Sequence, residues 1–143
     1  SIVKTYLIHN YKWKEGENYM GLNEESNEIA YVLGRLFSVL ESIQADANPG
    51  IQATIRDRYF NSACGTPATV FPVLIKLKNS HMKKIGREKE GTKKYYEKLF
   101  ADIMWKINEQ EGFPKRLSLE EQGKFALGYY HQTQKKYEKR EEK

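Results

Sequence analysis

The sequence predicts an all-α fold, a single compact bundle of five to six helices. Apolar residues recur at the i, i+3, i+4, i+7 spacing of a helix in most of the chain, and no segment shows the alternation typical of a strand. Glycine, proline and small polar residues separate these periodic segments, as turns require. The 143 residues are enough for one domain with its own core, so we expect residues 1–143 to form that domain.

The segment 31–77 holds the elements against which the rest of the chain is expected to pack. Its first helix has the clearest apolar stripe, formed by Ile29, Val32, Leu33, Leu36, Phe37, Leu40 and Ile43. On another face Ala30, Gly34 and Ser38 recur every four residues. Small residues at this spacing let a neighbouring backbone approach closely, so we interpret Gly34 as a packing residue in preference to a ligand contact.

Turn signals divide the following segment. The corner at 48–50, Asn-Pro-Gly, ends the first of these helices because proline disfavours the helical conformation in the residue before it. A short helix is expected over 52–63. Thr66 and Pro67 are a typical N-cap and first helical residue, although Pro72 predicts either a kink or a true start near it.

Two more helices follow, and the chain ends are expected to differ from the core. Thr92 can cap a fifth helix. Ser118 and Glu121 have the spacing of a capping box, which opens the last helix. The segment 1–14 reads as a partial first helix, and the basic tail 135–143 is expected to fray.

The sequence predicts no enzyme, no cofactor and no metal. His9, His81 and His131 are far apart and have no ligand spacing between them. His81 is on an apolar face, where a core histidine is far commoner than a catalyst. No nucleophile with a base and no phosphate-cradling glycine loop is recognisable.

The single cysteine and the apolar runs bear on location. Cys64 has no partner for an internal disulfide, which favours a cytoplasmic protein. This thiol is expected to be a small buried residue, although Arg56 and Arg58 lie about two helical turns before it and would lower its pKa if they approached it. No apolar run approaches the roughly 20 residues that cross a bilayer, so no membrane association is expected.

Positive charge is the main functional signal. The chain has a net charge of +5, and its segment 76–94 carries eight lysines and arginines against two glutamates. Two stripes are expected on the helix that contains 70–85. The inward stripe consists of Val70, Val73, Leu74, Leu77, His81 and Ile85, and the opposite stripe of Lys76, Ser80, Lys83 and Arg87. Such a cationic face binds nucleic-acid phosphates without sequence preference, but it is also compatible with a simple solvated face.

The candidate nucleic-acid-binding residues share positive charge and a place on a helix. They are Arg56, Arg58, Lys76, Lys83, Lys84, Arg87, Lys93 and Lys94. Arg56 and Arg58 precede two aromatic residues, an arrangement that can grip phosphate and stack bases, but an ion pair of Arg56 with Asp57 or Glu41 is equally compatible with the sequence. Trp105 faces away from the apolar stripe of its helix, which favours a contact with a partner subunit.

Two sequence blocks carry a family resemblance. They read ATIRDRYF at 53–60 and EEQGKFALGYYHQ at 120–132. Residues 30–134 resemble the C-terminal helical region of the large subunit of Cascade, the type I-C CRISPR effector complex. In that family an internal translation start also yields this region as a separate small subunit, and a chain that begins within a helix fits such a product.

The resemblance implies a non-enzymatic subunit along the belly of the complex. Its implied partners are the type I-C large subunit, further copies of itself, and the repeated backbone subunits that hold the guide RNA. It implies contact with the displaced strand of the target DNA, which stabilises the R-loop, while a separately recruited helicase-nuclease cleaves. The alternative is a purely structural spacer that never touches DNA; a hydrolase is a weaker third hypothesis.

Overall fold

The computed structural model describes residues 21–141, which form five helices. These are α1 (Ile29–Ala47), α2 (Ile55–Gly65), α3 (Pro67–Glu88), α4 (Glu90–Asn108) and α5 (Leu119–Glu141). No strand occurs within residues 21–141, so the predicted all-α class is confirmed. The partial helix predicted at 1–14 lies outside the described residues.

Helix α1 is the central element of the bundle. It packs against all four other helices, and every residue from 30 to 40 is buried. Phe37 is at the centre of an aromatic cluster, with ring centroids 5.5 to 6.4 Å from those of its neighbours. These neighbours are Phe60, Phe71, Phe125 and Tyr129. The predicted apolar stripe of α1 is therefore confirmed as the core.

Two glycines bring α1 and α5 into backbone contact. A Cβ atom on Gly34 would lie 1.9 Å from the carbonyl oxygen of Phe125, and one on Gly128 would lie 2.0 Å from that of Tyr31. Real Cβ atoms do not approach an oxygen so closely, so both positions require glycine. The packing role predicted for Gly34 is confirmed, and Gly128 is its counterpart on α5.

Polar side chains also join α1 to α5. Because buried polar groups cost free energy unless they are paired, such pairs fix which residues face each other. The pairs are Tyr31 with His131 at 2.8 Å, Arg35 with Gln132 at 3.0 Å, Ser38 with Thr133 at 2.7 Å, and Glu41 with Tyr129.

Helix boundaries follow local capping chemistry. Gly50, at φ 87°, turns the chain after α1 as predicted. The capping box that opens α5 is confirmed, because the Glu121 amide donates to the Ser118 hydroxyl at 3.1 Å and the Ser118 amide donates to the Glu121 carboxylate at 2.8 Å. Helix α5 continues to Glu141; fraying of the segment 135–143 stays a prediction.

Three helix starts test the predicted caps. Helix α4 begins at Glu90 with Lys89 at its N-cap position, so the cap predicted at Thr92 is wrong. Helix α2 begins at Ile55, later than 52, because Thr54 and Asp57 form a second capping box that the sequence analysis missed. Helix α3 begins at Pro67 with Thr66 at the N-cap position, as predicted, so the alternative start near Pro72 is wrong and that proline is accommodated inside the helix.

The inward face of α3 is rotated from the predicted stripe. Val73 and Leu77 are 48% and 40% exposed, although both were expected to face the core. Phe71 and Met82 are buried in their place. Apolar residues occupy more than one face of α3, and the aromatic cluster around α1 selects the face that carries Phe71.

Candidate nucleic-acid interface

Helix α3 presents a row of charges to solvent. Lys76, Ser80, Lys83 and Arg87 are all exposed, and their spacing of four, three and four residues places them within about 60° of one another around the helix. We call this set the outer α3 face. Among the described residues, none of its three cations has a carboxylate within 4 Å. Its charges are therefore available to an external anion.

Lys78 belongs to the same helix but not to this face. Its ammonium nitrogen lies 3.8 Å from the centroid of the Phe100 ring on α4, a cation–π contact. Burial lowers the pKa of Lys78 from its usual value, while Glu97 opposes that shift. One of the eight cations in 76–94 therefore serves the packing of α3 on α4.

The other predicted lysines have local partners or a different orientation. Lys84 is exposed and donates to the side chain of Asn48 at 2.9 Å. Lys93 lies along α3, its ammonium 3.8 Å from the Glu97 carboxylate. Lys94 is exposed and lines a groove between α4, α1 and α5. The eight candidate residues thus do not form one continuous surface.

Arg56 is held between α2 and α5. Its guanidinium donates to the Tyr130 hydroxyl at 2.9 Å and lies 5.6 and 5.8 Å from the ring centroids of Tyr129 and Tyr130. The two rings therefore cover part of the guanidinium surface that a phosphate or a base would contact. Arg58 is exposed and remains accessible.

Neither carboxylate considered as an ion-pair partner of Arg56 has that role. Asp57 accepts from the Thr54 amide at 3.0 Å as part of the α2 capping box. Glu41 accepts from the Thr54 hydroxyl at 2.7 Å and also from the Tyr129 hydroxyl. Burial, followed by this contact with Glu41, raises the pKa of Tyr129. The hydroxyls of Thr54 and Tyr129 make Glu41 a structural junction between α1, α2 and α5.

Trp105 is an exposed aromatic side chain on α4. It is 67% exposed, on the side of the helix opposite buried Ile103 and Ile107. Its solvent orientation agrees with the sequence, and its role as a contact for a partner stays a prediction. Tryptophans at the centre of interfaces commonly contribute much of the binding free energy.

The cysteine and the histidine considered as reactive residues lie in surroundings that favour a structural role. Burial raises the pKa of the Cys64 thiol to about 12, so the lowered pKa considered for it is wrong. His81 is half-buried, and burial and then Lys84 lower its pKa. Within residues 21–141, no cluster of three or more histidine, cysteine or acidic side chains has the arrangement of a metal site.

The structure contains a basic groove that the sequence analysis did not find. It lies between α1, α4 and α5, and its cationic lining consists of Arg35, Lys94, Lys98, Lys106 and Lys135. Only Lys94 was predicted. The available signal in the sequence was Arg35, a lone arginine among the apolar residues of α1. A buried charge requires a specific partner, so this residue indicated a polar site.

The fold and its surfaces define a compact helical protein that carries a cationic outer face. A family model described as CRISPR-associated protein (Cas_Csd1) matches residues 1–137, and the chain belongs to this family. It is accordingly a CRISPR-associated subunit of the type I-C Cascade complex. No curated protein matches the chain. Among the described helices, none is both long and apolar enough to span a bilayer.

Proposed function

We propose that this chain is a non-catalytic small subunit of type I-C Cascade that stabilises the R-loop by contacting the displaced DNA strand without sequence preference. The outer α3 face is the observation that carries the proposal. Guide pairing supplies the sequence specificity of such complexes, and R-loop formation is near energetic balance. Modest contacts to a phosphate backbone are therefore enough to favour the open state.

The geometry of the outer α3 face suits a strand that runs along the helix. Lys76 and Arg87 are eleven residues apart, which corresponds to about 16 Å along an α-helix. Over that length the lysine ammonium groups can meet phosphates as point charges, and the Arg87 guanidinium can bind a phosphate with paired donors. Exposed Ser80 lies between them and adds a hydroxyl without blocking the approach.

Protein partners follow from the same proposal. The chain would pack along the belly of the complex, against the large subunit, the guide-bearing backbone subunits and further copies of itself. Trp105 is the side chain we assign to such a contact, because a large exposed aromatic residue loses its unfavourable hydration when a partner covers it.

A purely structural spacer is the competing function. Val73 and Leu77, exposed on α3 near the cations, favour it, because apolar residues on a surface commonly mark protein contacts. In that case the outer α3 face would meet an acidic protein surface. The two functions differ in whether DNA is ever within reach of α3.

A matched pair of double variants tests the DNA contact. Lys83→Ala with Arg87→Ala removes one lysine and one arginine from the outer α3 face, while Lys115→Ala with Arg116→Ala removes the same charges from exposed positions before α5. Each variant is assembled into Cascade, and R-loop formation on target DNA is measured over a range of salt concentrations.

We expect the α3 variant to weaken R-loop formation and the control to leave it unchanged. Two lost phosphate contacts to a single strand reduce the slope of log affinity against log salt by about 1.4. Equal behaviour of the two variants, with both matching the unaltered complex, would reject the DNA contact and favour the spacer.

A further inference from the structure

Arg35 is a buried cation with an unsatisfied donor. The side chain is only 3% exposed, and its Nε donates to the Gln132 amide oxygen at 3.0 Å. Its Nη1 is buried and has no hydrogen-bond partner among the described residues. An unpaired buried guanidinium nitrogen carries a large desolvation cost, so its presence points to a ligand that pairs with it.

The groove above Arg35 is positively charged. Lys94, Lys98 and Lys135 are exposed along it, and Lys106 completes the cationic lining. Two carboxylates, those of Glu24 and Asp102, also line the groove. Five cations against two anions leave an excess of three positive charges around Arg35, which attracts a compact anion.

The two carboxylates do not satisfy Arg35 themselves. Both attract it electrostatically, but neither lies within 4 Å of its guanidinium. Burial is the largest influence on Arg35 and lowers the pKa of its guanidinium, which nevertheless stays protonated at neutral pH. The charge is therefore retained without a direct counter-ion from Glu24 or Asp102.

We propose that this groove is a second anion site of the chain and that it binds a phosphate group between Arg35 and the lysines of α4 and α5. A guanidinium offers paired donors that match the oxygens of a phosphate, and ammonium groups at the rim neutralise the remaining charge.

The groove is separate from the outer α3 face. It is built from α1, α4 and α5, and none of the four residues of the outer α3 face lines it. As a site for the phosphodiester backbone of a single strand, it rests on the proposed function. As a site for free phosphate, it does not. Both sources present the same phosphate oxygens to Arg35.

Nuclear magnetic resonance of the full chain reports on Arg35 directly. The Nε–Hε signal of Arg35 is followed while inorganic phosphate is added at constant ionic strength, with chloride as the balancing anion. A second titration uses single-stranded oligothymidylate of about ten nucleotides, a length within the usual range for single-strand sites. We expect the Arg35 signal to move with either phosphate source and to stay in place with chloride.

Variants at the rim keep the test independent of folding. Lys98→Ala with Lys135→Ala leaves Arg35 and its bond to Gln132 intact, and we expect about a fivefold loss of affinity for the probe that moves Arg35. Lys76→Ala with Lys83→Ala removes the same number of charges from the outer α3 face. That variant is expected to bind inorganic phosphate unchanged.

The outcomes separate this site from the proposed function. Movement of Arg35 with both probes, weakened by the rim variant, supports a phosphate site that accepts a nucleic-acid strand; movement with inorganic phosphate alone assigns the site to free phosphate. An Arg35 signal that neither probe moves overturns the site. If R-loop formation is then lost in Lys83→Ala with Arg87→Ala but not in the rim variant, the proposed function stands without the groove site.

Discussion

The α1–α5 pair and the α3–α4 hairpin differ in where their functional side chains point, inward in the first and outward in the second. Between α1 and α5, two glycines bring the backbones together and four polar pairs fix the register of the contact. On the hairpin, lysine, arginine, valine and tryptophan side chains face solvent. The comparison teaches that the first pair fixes how the helices pack, whereas the second carries the surface available to partners.

The largest contrast in stability should be between one aromatic residue from each region. Phe37→Ala empties the centre of the aromatic cluster and should lower the free energy of unfolding by about 4 kcal/mol. Trp105→Ala should change it by less than about 0.5 kcal/mol, because most of that side chain is in water. Urea unfolding of the chain, followed by circular dichroism, measures both. Equal losses would show that α4 contributes to the core as much as α1 does.

The glycine contact gives the next contrast. Gly34→Ala places a methyl group against a backbone oxygen, so the two helices must separate, at a cost of about 3 kcal/mol. Gly91→Ala on α4 is the matched control, since no atom lies within 4 Å of the added methyl. Alanine there should leave stability unchanged or raise it by up to about 1 kcal/mol. A tolerated Gly34→Ala in the same unfolding measurement would refute the close contact.

Stability should depend on pH through the α1–α5 pair. Burial lowers the pKa of His131 to about 4, and its Nδ1 is hydrogen-bonded at 2.8 Å to the Tyr31 hydroxyl, which accepts from the Asn23 amide. Because the folded pKa lies below the unfolded value of 6.5, the unfolded chain binds the proton first. The contribution of neutral His131 to the free energy of unfolding is therefore complete above pH 6.5 and is lost as the pH falls toward 4.

The measurement compares the chain with His131→Asn, which keeps a hydrogen-bonding group for Tyr31. The free energy of unfolding is measured at both ends of this pH range. Its decrease from the upper to the lower pH should be about 2 kcal/mol larger in the unaltered chain than in the variant. Parallel pH profiles would mean that His131 is not held neutral in the folded protein.

Much of the fold was predictable from local pattern, and the exceptions have tertiary causes. The stripe of α1 and the capping box at Ser118 depend on near neighbours in sequence, and both are confirmed. The inward face of α3 was misjudged because Val73 and Leu77 satisfy helical periodicity as well as Phe71 does. Only the position of the aromatic cluster decides among them.

The candidate surfaces also divide into one that a local pattern predicts and others that depend on contacts distant in sequence. The outer α3 face follows from the spacing of Lys83 and Arg87 with their neighbours on one helix. Arg56 lies 74 positions before the tyrosine that holds it, and Arg35 lies 97 positions before Gln132. No local pattern reveals contacts over such separations, so neither the aromatic partner of Arg56 nor the groove over Arg35 could be derived from sequence.

A variant of the hairpin should have the smallest effect on stability. Lys83→Ala with Arg87→Ala should change the free energy of unfolding by less than about 0.5 kcal/mol, because exposed charges with no near counter-ion contribute little to the folded state. Urea unfolding beside the R-loop assay checks this. A large loss of stability would mean that weakened R-loop formation reflects misfolding.

Site-specific crosslinking tests the central claim most directly. A photo-crosslinking amino acid at Ser80 places a probe within the outer α3 face, and the same group at exposed Lys115 serves as the control. In target-bound Cascade, we predict an adduct between position 80 and the displaced strand, with little or none from position 115. The account would be contradicted if position 80 crosslinked only to protein while the R-loop formed normally.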